Sequence, residues 1–154
     1  VEIVFISAII AIVSAFIIPR FFASNQEIRV QSISYEILDI LQVSQQEATS
    51  TQQSVNVVFT FDGDNLKQVQ SFLPASFGGE LIERSIDIPS FIESTSDTPI
   101  DSIQFKPNRG WDLIANGTPV ASANFEIVFS TNQRSLTLKL FPNSHSIQLL
   151  EPTN

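Results

Sequence analysis

Side chains able to do covalent or metal chemistry are scarce in this chain. Its 154 residues include one histidine, His145, and no cysteine. Thiol nucleophiles, Cys-His pairs and histidine or cysteine metal clusters are thereby excluded. A Ser-His-acid triad would have to use His145, which stands in the run Asn143-Ser144-His145-Ser146 with no nucleophile motif around it. It reads as an exposed turn histidine. Paired carboxylates for glycoside hydrolysis are available in any acidic chain, but nothing in the sequence places two across a cleft. The reading is a non-enzymatic protein with no obligatory cofactor.

Two short constellations could still bind or carry something. Asp62-Gly63-Asp64-Asn65 combines oxygen ligands with a glycine, so Asp62, Asp64 and Asn65 are a weak calcium candidate. The remaining ligand spacing and the bidentate glutamate of an EF-hand are missing, and a hairpin turn explains the same residues. Asn116-Gly117-Thr118 matches an N-glycosylation acceptor. Asn-Gly is also the strongest two-residue hairpin signal, and the turn reading suffices.

The third constellation is a single acid in an apolar run. Between Ile3 and Ile18 the only polar side chains are Ser7 and Ser14, and the first basic residue is Arg20. Serine hydroxyls can bond back to helix carbonyls, so the run can be helical in a lipid-like surrounding. At ~1.5 Å per residue it makes roughly 24 Å of helix, slightly short of a bilayer core of about 30 Å. The basic n-region and small-residue cleavage site of a signal peptide are missing, so the segment is expected to stay in the mature protein. Glu2 at its head is costly in hydrocarbon unless a cation pairs with it or it lies at the membrane surface. Two readings stay open there: a partner from elsewhere, or an interfacial acid at the positive end of the helix dipole.

The string from Val1 to Pro19, VEIVFISAIIAIVSAFIIP, resembles the N-terminal helix of type IV pilins and type II secretion pseudopilins, with acid and proline at that family's separation. The resemblance implies an assembly role for Glu2, pairing with the methylated N-terminal amine of a neighbouring subunit, and makes Pro19 the helix-loosening proline. Family members begin with a Phe-Thr-Leu-like triplet ahead of the position of Val1, so three preceding residues are expected. It also implies a prepilin peptidase and a pilus or secretion assembly machinery as partners. The inner membrane would hold the chain before assembly, and a homo-oligomeric helical filament after it. Val4, Phe5, Ile6, Ile9, Ile10, Ile12, Val13, Phe16 and Ile17 would pack the filament core. Serine 34 to phenylalanine 61, SYEILDILQVSQQEATSTQQSVNVVFTF, resembles more loosely the H-type minor pseudopilins. Some major pseudopilins bind calcium in their heads, which is a further reason to weigh the Asp62 to Asn65 run.

The elements that must position these residues follow from hydrophobic period. Val30, Ile33, Ile37, Ile40, Leu41 and Ala48 recur at three- and four-residue steps, while Gln31, Glu36, Asp39, Gln42, Gln46 and Glu47 fill the other face. A long helix is expected over residues 1–53, with a defect before Pro19, where the ring removes an amide and crowds the carbonyl four residues back. After Gln53 the period becomes two: Val55, Val57, Phe59 and Phe61, a turn, then a partner strand from Leu66 to Leu73. The stretch through Gly78-Gly79, Ile82, Ile86, Ile88 and Pro89 has no firm reading. Ile103 with Phe105 and Trp111 with Leu113 mark two more strands, and Phe125 to Ser130, Leu136 to Leu140 and Ile147 to Leu149 an antiparallel meander.

The expected fold is therefore α+β, a pilin fold: a helix over 1–53, with 1–20 the transmembrane or filament-core part and 21–53 amphipathic, packed on an antiparallel β-sheet head over 54–154. Net charge is −8 with a pI near 4.4, which argues against a phosphate-binding surface, so direct nucleic-acid binding is not expected. Without cysteine, the head has no disulfide and depends on its apolar core. The functional expectation is a structural subunit of a type IV pilus-like or pseudopilus filament at the cell surface or in the periplasm. Alternatives are a minor pseudopilin that initiates or caps a type II secretion pseudopilus, and a single-span membrane-anchored binding protein.

Overall fold

Among the described residues of a computed structural model of the chain, one helix of 50 residues, α1 (Glu2–Thr51), carries ten strands at its C-terminal end. The residues described are 2–73, 81–96, 100–120, 125–131, 135–141 and 146–151; the side chains of 2–5, 8, 16–24, 73 and 81–83 are outside that description. The runs Gly78-Gly79, Asn132-Gln133 and Asn143-Ser144-His145, each read above as turn or break residues, also lie outside it.

α1 is continuous through Pro19. The helix is therefore neither melted nor split into two at the proline, whose nitrogen still cannot donate a hydrogen bond. The stripe read from the sequence is the buried one: Val30, Ile37, Leu41 and Ala48 are fully covered, and Ile33 and Ile40 nearly so. Ser34 and Ser44 are also buried in it. Ser34 donates to Val30 O at 2.8 Å, and the Ser44 and Ser71 hydroxyls share a hydrogen bond of 2.9 Å between helix and sheet. Polar side chains close the helix. Thr51 Oγ1 donates to Glu47 O, Thr49 Oγ1 to Gln45 O and Gln52 Nε2 to Thr49 O; of these acceptors Thr49 O is among the last four carbonyls, which the helix itself leaves open. Gln52 itself takes the left-handed φ of 58° usual for a glycine at this position.

The strands are β1 (Val55–Asp62), β2 (Asn65–Leu73), β3 (Leu81–Asp87), β4 (Glu93–Ser96), β5 (Ser102–Phe105), β6 (Trp111–Ala115), β7 (Thr118–Val120), β8 (Phe125–Ser130), β9 (Ser135–Phe141) and β10 (Ser146–Leu150). They form two antiparallel sheets rather than one, ordered β3-β2-β1-β5-β6-β7 and β10-β9-β8-β4. The meander expected at the end of the chain is the second sheet, widened by β4 against β8. α1 packs on both sheets. Alternation decides which strand faces turn inward: Val55, Val57, Phe59, Ile103, Phe105, Trp111 and Leu113 from the first sheet meet Phe125, Ile127, Phe129, Leu136, Leu138 and Leu140 from the second. Phe59 and Phe125 touch edge to face across that seam, with centroids 5.8 Å apart. A buried serine also joins the sheets, since Leu66 N–H donates to Ser94 Oγ at 2.8 Å and Ser94 Oγ donates to Leu66 O at 3.1 Å.

Candidate functional site

The apolar face of the N-terminal helix stands in the open. Ile6, Ile9, Ile10, Ile12 and Val13 are 46–60% exposed, and at 100° per residue their side chains spread around well over a third of the helix. Glu2, Val4, Phe5, Phe16, Ile17 and Pro19 lie on the same helix with side chains outside the described set, so their surroundings are not part of the geometry. Val30 is the first buried side chain along the described helix. The 28 residues from Glu2 to Arg29 therefore extend about 42 Å before the head begins. Ile28 and Tyr35, seven residues apart and opposite the buried stripe, are exposed as well, at 62% and 51%. Among the described residues no helix is long and apolar enough to cross a membrane.

Both turn candidates have the backbone geometry of two-residue hairpin loops. Asp62 pairs with Asn65 across the β1–β2 register, leaving Gly63 and Asp64 as a two-residue loop with a bulge nearby at Thr60 and Phe61. Gly63 has φ +62°, the positive first position that a type II′ turn requires. Asp62 sits 3.8 Å from Lys67 Nζ. Among the described residues no three His, Cys, Asp or Glu side chains are grouped to hold a metal. Asn116 and Gly117, at φ 50° and 71°, connect β6 and β7 as a two-residue loop with left-handed φ at both positions, the type I′ pattern read from Asn-Gly. Thr118 Oγ1 closes it by donating to Ala115 O at 3.0 Å.

Most of the positive charge among the described head residues is paired within the chain. Lys67 pairs with Asp62, Arg84 with Asp39, Lys106 with Asp112 and Lys139 with Glu126. Among the described cations, Arg29 and Arg109 have no ion pair. Arg109 was invisible to sequence reasoning: it takes a left-handed φ of 64° between Asn108 and Gly110, residue types that adopt it more readily.

No family model matches the chain, and no curated protein sequence does. Solved structures do. The type IV minor pilin FimU of Pseudomonas aeruginosa is similar with a TM-score of 0.59 at 20% identity, over 82% of this chain and 91% of that one. A second crystal form of FimU is similar with a TM-score of 0.57 at 22% identity, over 79% and 92% of the two chains. A long helix laid on antiparallel sheets, matched over nine-tenths of such a protein, makes this a chain of type IV pilin-like fold.

Proposed function

We propose that the chain is a non-enzymatic structural subunit of a pilus-like filament. The observation that carries this is the run of exposed aliphatic side chains on a helix projecting from a finished head. Water does not tolerate Ile6, Ile9, Ile10, Ile12 and Val13 in the open, so they need lipid or other helices. The pilin-like fold supports both in turn: a single pass in the inner membrane before assembly, and a helix bundle at the filament core afterwards. Leaving lipid gains little apolar burial, so association would come from close packing of these side chains with Val4, Phe5, Phe16 and Ile17. Processing by a prepilin peptidase and methylation of the terminal amine belong to the same proposal, as does a pseudopilus in place of a pilus.

Glu2 is the proposed register check. A carboxylate carried into an apolar bundle without a partner costs on the order of several kcal/mol, so only a subunit seated against a neighbour's amine would be retained. Glu2→Ala should insert into the membrane at the wild-type level and give few sheared filaments under negative stain. A wild-type filament yield from that variant would refute the role.

The FimU likeness favours a second reading within the first, a minor subunit that initiates or caps the filament. Quantitative mass spectrometry of purified filaments separates the two. A dominant share of this chain identifies the bulk subunit, and a trace share the minor one.

A further inference from the structure

The two ends of the head carry complementary features that cannot meet within one molecule. At the end reached by the helix C-terminus, the β5–β6 loop holds Arg109 in its left-handed conformation. Arg109 N–H donates to Lys106 O at 3.1 Å, and Lys106 N–H donates to Gly110 O at 2.8 Å. Arg109 is exposed and lies along a polar groove with Gln42, Gln46 and Ser50 of α1. A non-glycine residue is held at positive φ only where its surroundings over-determine it, and here the loop fixes the direction in which a cation leaves the surface. Among the described residues no carboxylate pairs with it.

The opposite end holds a cavity of about 400 Å³ lined by Asp64 and Asp101 beside the rings of Phe59 and Phe61. Asp64 is exposed and has no hydrogen bond or ion pair, whereas neighbouring Asp62 is engaged by Lys67. Asp101 is fixed: its carboxylate accepts from Gly117 N–H at 3.3 Å, its N–H donates to Ile114 O and its carbonyl accepts from Phe59 N–H. Carboxylates beside the half-buried Phe61 suit a guanidinium, which takes carboxylate oxygens through its planar fork and packs well on aromatic side chains. Strand register separates the ends, because Val55 pairs with Phe105 next to the Arg109 loop and Asp62 pairs with Asn65 at the cavity end. At ~3.3 Å per strand step, the seven steps from Val55 to Asp62 make about 23 Å and the four from Phe105 to Asp101 about 13 Å, both beyond an arginine's reach.

We propose that Arg109 of one copy seats in the Asp64 and Asp101 cavity of the next copy along the filament. This rests on the filament reading above and adds to it a head-to-head contact apart from the helix core. The contact is heterologous, one patch against a different patch, which is the geometry that extends into an open helical assembly rather than closing as a dimer. It is charge-complementary within a chain of net charge −8, whose copies otherwise repel.

Residues 1–154 include no cysteine, so the double variant Arg109→Cys, Asp64→Cys places thiols in them only at the two proposed partners. Treating its sheared filaments with a short bismaleimide should give a ladder of covalent multimers on a denaturing gel. Filaments that yield only monomer overturn the seat and leave the filament reading intact; a wild-type chain that makes no filaments overturns that reading itself. In parallel, Arg109→Glu and Asp64→Arg should each lower filament yield about tenfold or more, as lost interfacial charge pairs do, with unchanged melting temperature. Combining them should restore the yield. A combination that stays low overturns the pairing, as does calcium chelation reproducing the Asp64→Arg loss in the wild type, which would make the cavity a cation site instead.

Discussion

The two halves of α1 both carry many aliphatic residues and behave in opposite ways. From Val30 to Ala48 most of the apolar side chains fall on one stripe, and the head covers it completely at Val30, Ile37, Leu41 and Ala48. From Ile6 to Val13 they spread around the helix, and the head covers none of those described. A stripe can be satisfied by one surface of the same chain, whereas an apolar cylinder needs neighbours on several sides. The difference teaches where folding ends and assembly begins: the buried half belongs to the stability of the monomer, and the exposed half is left for lipid or for other copies.

The largest test of that division is Ile37→Ala. Ile37 is fully buried between helix and sheets, and truncating such a side chain removes its transfer free energy and leaves a cavity. The expected loss is about 2–5 kcal/mol of head stability, read by denaturant unfolding of the full chain in detergent. An effect below 1 kcal/mol would mean that the stripe is not the interface holding helix to head.

A smaller test concerns the polar residues within the stripe. Ser44 and Ser71 share a buried hydrogen bond of 2.9 Å. Ser44→Ala strands the Ser71 hydroxyl, a loss of about 1–3 kcal/mol, while the double change Ser44→Ala, Ser71→Ala removes both partners and should recover most of it. A double variant no better than the single would show that Ser44 acts through something other than this bond. The result sharpens the comparison, because the exposed half of the helix carries its serines, Ser7 and Ser14, without any sheet to meet.

Legibility in the sequence followed the same line. The buried stripe could be read residue by residue because one-sided burial imposes a 3.6 period, and β1, β2, β8 and β9 because two-sided alternation and Gly, Asn and Asp turns imposed a period of two. The split into two sheets could not. β4 reads Glu-Ser-Thr-Ser, with no apolar residue to announce a strand, and its inward side chain is Ser94, buried because it clasps both polar groups of Leu66. β7 is three residues long and contains Pro119, which the ladder accepts at a sheet edge and which argues against a strand elsewhere. In the candidate site, the exposed isoleucines were legible as an apolar run, whereas Arg109 was not, since nothing local requires an arginine at positive φ. Residues whose placement is decided by contacts distant in sequence leave no periodic trace.

The smallest expected effect on the monomer is the most informative about the exposed half. Ile10 is 60% exposed, so Ile10→Ala removes almost no packing from the chain itself and should change head stability by no more than about 0.5 kcal/mol. The same substitution removes a knob from any helix bundle, where association depends on van der Waals contact because lipid already satisfies the apolar surface. Filament yield should therefore fall while the unfolding curve stays superimposable on wild type, the reverse of what Ile37→Ala does first. A parallel loss of both would mean that residues 6–13 fold against the head after all. Loss of neither would mean that the exposed cylinder meets only lipid, and the filament reading would then have to stand without its core.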